Sequence, residues 1–177
     1  MKNSCILKQV LWLLSILIVT CDSKGPVQRC LSRTIMKESD NLLNKTSEFK
    51  KLFPDDLISI KLLTNSLTKE FKDNCSTRNH LLLFYTKDVL SADLIRPEAQ
   101  KSGIGEAFER MADMLMKCRD TKCQSTKSIE ETAAMKELWA KITQLTLKEK
   151  LHKAINEMDM LLILIHRIAR DIKRNRL

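Results

Sequence analysis

An all-α bundle is the fold class that this sequence predicts, and three observations predict it. In 177 residues there are Gly 3 and Pro 3, too few for a β architecture, which needs a turn about every ten residues. Apolar residues recur at three- and four-residue steps through most of the chain, and no segment alternates convincingly with period two. Hydrophobic residues make up 44%, enough to close a core rather than leave the chain disordered. The length suits one domain.

The elements follow in order. Lys2 and Lys8 precede an apolar run from Val10 to Val19, broken only by Ser15, and Cys21-Asp22-Ser23 offers small residues for cleavage. Residues 1–23 are therefore expected to be a secretory signal peptide and 24–177 the mature, extracellular domain. The run is too short to span a bilayer, so no membrane insertion is expected. Ile35, Leu42, Phe49 and Leu52 then mark a first helix that Pro54 ends. Asp55 or Asp56 is expected to cap a second, carrying Leu62, Leu63, Leu67 and Phe71. Ser76 or Thr77 is expected to cap a third, through Leu81 to Leu90, before a loop marked by Arg96, Pro97, Gly103 and Gly105. A fourth helix is expected from Ile104 to Lys117, and a fifth from a capping box at Ser128 and Glu131 to Leu145. The last stripe, Leu151, Ala154, Ile155, Met158, Leu161, Leu162, Ile165, Ile168 and Ile172, predicts one continuous helix.

In a secreted chain, Cys30, Cys75, Cys118 and Cys123 are an even set that predicts two disulfides. Their spacing does not fit zinc, and three pairings are open. The sequons are Asn44-Lys45-Thr46 and Asn74-Cys75-Ser76. Asn44 is the candidate acceptor, since Asn74 adjoins a cysteine expected in a bridge.

No catalytic constellation stands out. His152 and His166 lie fourteen residues apart, about 21 Å along one helix, and cannot share a metal within one chain. No phosphate loop or nucleophile motif occurs, so neither an enzyme nor a cofactor is expected.

What remains is surface. Lys+Arg 31 against Asp+Glu 22 gives +9, which favours polyanionic partners. Arg167, Arg170, Lys173, Arg174 and Arg176 oppose only Asp171 at the C-terminus. They suit the negative end of a helix dipole, or form a polyanion-binding tail for heparan sulfate or DNA without sequence preference. On the last helix Asn156, Met160, Ile163 and Arg167 lie opposite the core stripe. Either that helix is buried on both sides, or these residues meet a receptor or a second copy of the chain in a homodimer.

Specific residues narrow the class. Leu83-Phe84-Tyr85-Thr86-Lys87-Asp88-Val89-Leu90 resembles a third-helix segment of the interleukin-10 family, and Lys153-Ala154-Ile155-Asn156-Glu157-Met158-Asp159 resembles its last-helix signature Lys-Ala-x-x-Glu-x-Asp. The four cysteines fall where that family places its own, and the resemblance covers about residues 30–172. It implies a six-helix class II cytokine bundle with two disulfides, Cys30 to Cys118 and Cys75 to Cys123. It further implies a ligand of a heterodimeric class II cytokine receptor signalling through Janus kinases and STAT proteins. The receptor surface would combine the first helix, the segment after it and the last helix, with Lys153 and Asp159 as contact residues. Phe53-Pro54-Asp55-Asp56 and Lys69 to Cys75 resemble one branch of the family, for which the pairing is the interleukin-20 receptor α chain with the interleukin-10 receptor β chain. Lys150-Leu151-His152, where the family commonly has Gly-Ile-Tyr, leaves the branch open. The alternative from another class is a cationic helical antimicrobial or polyanion-binding protein with no dedicated receptor.

Overall fold

The computed structural model describes residues 30–54, 59–118 and 132–174. Among these the chain is all-helical, with no strand. The helices are α1 (Ser32–Lys51), α2 (Asn65–Asp73), α3 (Cys75–Leu83), α4 (Arg96–Lys101), α5 (Ile104–Met116), α6 (Ala133–Thr143), α7 (Leu147–Asn156) and α8 (Met158–Arg174), with a π-helical turn, Phe84–Val89, continuing α3. None is long and apolar enough to cross a membrane.

The core forms where the expected stripes meet. Ile35, Leu42 and Phe49 of α1 are buried, as are Phe108, Met111 and Leu115 of α5 and Leu161, Leu162, Ile165 and Ile168 of α8. Each such side chain contributes about 1.5–3 kcal/mol by leaving water. α1 lies along α8 and α5. The Cys30–Cys118 disulfide, with Cα atoms 4.6 Å apart and a sequence separation of 88, ties the start of α1 to the end of α5. In the chain-entropy picture such a loop contributes about 4–5 kcal/mol. Cys75 is also disulfide-bonded; its expected partner, Cys123, lies outside the described residues, as do residues 1–23, Ser128, Glu131 and Arg176.

Local chemistry moves several expected boundaries. Leu62 and Leu63 are buried but not helical, and α2 begins only after Thr64, whose side chain accepts from the Leu67 N–H. α3 is capped by Asn74 rather than by Ser76 or Thr77, because the Asn74 side chain accepts from both of their N–H groups. The expected loop from Arg96 contains the short helix α4, opened by a proline in its first turn. Gly103 sits at φ 68 at the head of α5, a left-handed conformation that glycine adopts without strain. Thr132 caps α6 by accepting from the Met135 N–H.

The expected continuous last helix is two helices. α7 opens with a full capping box between Thr146 and Glu149, whose carboxylate is lowered from its ordinary pKa by hydrogen bonds from the Thr146 hydroxyl and N–H. The helical run breaks at Glu157, where ψ reaches 2°, and resumes as α8. The π turn has its own role. It brings three consecutive residues, Phe84, Tyr85 and Thr86, into the interior, which a regular α-helical stripe does not. Phe84 meets Trp139 edge-on at 5.5 Å, while Tyr85 packs on Phe108 at 5.9 Å and donates to the Ala154 carbonyl at 3.1 Å.

Candidate functional site

Two neighbouring arrangements surround the break at Glu157. The first faces inward and holds the segment after α1. The Asn156 amide donates to the Phe53 carbonyl, and His152 Nδ1 donates to the Pro54 carbonyl at 2.9 Å, which requires the hydrogen on Nδ1. The Glu157 carboxylate accepts from the Leu62 N–H at 3.1 Å and the Leu63 N–H at 2.7 Å. Lys141 of α6 donates to the Lys61 carbonyl. These bonds explain why Leu62 and Leu63 are not helical: their N–H groups are bound to a carboxylate from the other end of the chain.

Lys153 belongs to this inward arrangement, and its expected place on an exposed receptor surface is corrected. It is 4% exposed and its Nζ lies 3.6 Å from Glu157 Oε1, with Glu157 8% exposed. The spacing of four residues puts both on one turn of helix, and a buried carboxylate without a cation beside it is costly. Tyr85 lies beneath; burial first, and then the Glu157 and Asp159 charges, push its hydroxyl well above the usual tyrosine pKa.

The second arrangement faces outward. Asp159, two residues beyond Glu157, is half-exposed and accepts from Lys50 of α1 at 2.9 Å. Met160 at 38% and Ile163 at 41% are exposed, so α8 is not buried on both sides. Arg167, Arg170 and Arg174 are exposed along the same helix, with Lys173 half-buried. His166 Nδ1 lies 2.8 Å from Asp40 Oδ1 and 3.2 Å from Ser39 Oγ, both on α1. Serine, histidine and aspartate are thus adjacent, but both partners meet the same ring nitrogen. A nucleophile relay needs one partner on each nitrogen. Among the described residues no group of His, Cys, Asp or Glu is placed to hold a metal ion.

Of the stripe expected opposite the core, Met160, Ile163 and Arg167 are exposed, whereas Asn156 is half-buried and turned to the Phe53 carbonyl; Lys50, His152 and Glu157 carried no sequence signal for their bonding roles. The four-residue spacing of Lys153 and Glu157 was the one available signal for a pair; the carbonyl and N–H partners of His152, Asn156 and Glu157 lie about a hundred positions away.

Among the described residues the build is an all-helical bundle whose polar residues brace a connecting segment, with apolar Met160 and Ile163 exposed on its last long helix. No family model matches the chain, and no solved structure matches it. It is 27% identical to human interleukin-26 over 157 residues, which cover 88% of this chain and 88% of that one. The chain resembles interleukin-26, and through it the cytokines of the interleukin-10 family.

Proposed function

We propose that the protein is a secreted cytokine that binds a heterodimeric class II cytokine receptor and triggers Janus kinase and STAT signalling. The observation that carries this reading is the similarity to interleukin-26 along nearly the whole chain. It is supported by the α1–α8 face, where Met160 and Ile163 are exposed and the Lys50–Asp159 pair is half-buried, beside the braced segment after α1. The receptor pair proposed is the interleukin-20 receptor α chain with the interleukin-10 receptor β chain. Residues 1–23 serve as the signal peptide, and Cys75 pairs with Cys123. The test is STAT phosphorylation by purified protein in cells carrying or lacking that receptor pair. A response independent of both chains, or none at all, overturns the reading.

A second activity is proposed on a separate observation, the exposed Arg167, Arg170 and Arg174 of α8, to which the half-buried Lys173 and the sequence-expected Arg176 are added. Arg167, Arg170, Lys173, Arg174 and Arg176 bind heparan sulfate or DNA through charge, without sequence preference. Replacing the five by Gln should lower the salt needed to elute the protein from heparin, with helical circular dichroism unchanged. Unchanged retention places the binding elsewhere.

A further inference from the structure

The α1–α8 face carries a feature that a receptor contact does not use. Asn44-Lys45-Thr46 lies in the middle of α1, and Asn44 is exposed. Among the described residues no hydrogen bond engages its side-chain amide. Asn74, the other sequon residue, is half-buried; its Oδ1 accepts from the Ser76 and Thr77 N–H groups at 2.8 and 3.2 Å, and Cys75 beside it is disulfide-bonded.

Two contacts fix how α1 and α8 run past each other. Lys50 meets Asp159, and Asp40 meets His166. Ten residues of α1 thus pass seven of α8 in the opposite direction, which sets Asn44 level with Ile163. Asn44 lies one turn from Asp40 on the same stripe of α1, and Ile163 lies one turn from His166 on α8. Both side chains leave the bundle on one side, from helices whose axes are about 8–10 Å apart. Met160 is one turn further along.

We propose that Asn44 carries an N-linked oligosaccharide and that this oligosaccharide screens the Met160–Ile163 face, so that its occupancy sets how readily the face is bound. The proposal rests on the reading of a secreted ligand. In the transfer, Asn44 Nδ2 attacks C1 of an oligosaccharide carried on a lipid pyrophosphate. The N–C1 bond forms, the C1–O bond to the pyrophosphate breaks, the amide gives up one proton, and the lipid pyrophosphate leaves. Thr46, the third residue of the sequon, is fully buried with its hydroxyl bonded to the Leu42 carbonyl at 2.7 Å. The triplet is therefore readable only before α1 folds, and helix formation competes with transfer. Once attached, a hydrated sugar stands beside two exposed apolar side chains that otherwise favour self-association.

The experiment expresses the full chain in secreting mammalian cells as wild type, N44Q and N74Q. Intact mass before and after peptide N-glycosidase should show a glycan on wild type and N74Q and none at position 44 of N44Q. Hydrogen peroxide oxidation of Met160, mapped by peptide mass, should be several-fold slower in the occupied form than in N44Q. Receptor ectodomain should bind N44Q several-fold more tightly than the occupied form. An unmodified Asn44 in protein recovered from the medium overturns the proposal, as does equal Met160 oxidation in the two forms. Absence from the medium instead overturns the secreted reading on which the proposal stands. Slower Met160 oxidation with no binding of either form upholds the screen and overturns the receptor assignment.

Discussion

α7 and α8 are consecutive turns of one amphipathic pattern, yet they use their polar residues in opposite ways. The end of α7 turns Asn156 and Glu157 toward the chain after α1, where they take carbonyl and N–H groups that have no helix to satisfy them, and buries Lys153 beside the Glu157 carboxylate. α8 turns Asp159, Met160, Ile163 and Arg167 outward, where Asp159 pairs with the half-buried Lys50 of α1. Asp159 comes six positions after Lys153. One is a structural support and the other a surface group, and the difference is the break at Glu157. A buried polar group is held by geometry and costs a great deal to leave unpaired, whereas an exposed pair contributes little because water competes for both partners.

The comparison breaks first at the buried pair. Glu157→Ala leaves Lys153 without its carboxylate and two backbone N–H groups without an acceptor, and should cost about 3–5 kcal/mol of folding free energy by chemical denaturation. Lys153→Ala should fall in the same range. Ile155→Ala and Leu162→Ala, which remove core atoms on either side of the break, should each cost about 2–5 kcal/mol. If Lys153→Ala proved as stable as wild type, the inward arrangement would be wrong.

Thr146→Ala removes the α7 cap and should cost about 1 kcal/mol. Tyr85→Phe removes the bond to the Ala154 carbonyl and should also cost about 1 kcal/mol. Tyr85 gives this side of the molecule a pH signature. Its folded pKa is raised, so the unfolded chain loses the phenolic proton first. Stability from this group is complete below the ordinary tyrosine pKa of about 10 and is lost as pH rises beyond it. A denaturation series should therefore fall more steeply above pH 10 for wild type than for Tyr85→Phe.

The smallest effect on stability is expected outside. Asp159→Lys should change folding by about 1 kcal/mol at most, because the ion pair with Lys50 is half-exposed and water competes for Asp159. It should nonetheless weaken STAT activation at limiting concentration. Normal signalling by that variant would remove Asp159 from the contact surface.

Much of the fold was legible because it is written in local repeats. The stripes of α1, α5 and α8 are visible as three- and four-residue spacing, and Pro54 marks the end of α1 within a few residues. The capping box of α7 at Thr146 and Glu149 was missed, although the sequence carries it. Leu62 and Leu63 were misassigned to a helix for a different reason: their apolar pattern is helical, and only a carboxylate distant in the chain withdraws their N–H groups. Of the candidate site, Asp159 and the Met160–Ile163 pair were legible as residues off the core stripe.

By itself the sequence determined the helical class, the core stripes, the basic surplus and the sequon at Asn44, because each depends on residue identity and short-range spacing. Only the tertiary structure decided which side of a helix is inside once a second helix covers it. It buried Lys153 against Glu157, left Met160 and Ile163 open, and set Asn44 level with Ile163. Periodicity fixes the angle of a side chain about its own helix, but not what the rest of the chain places there.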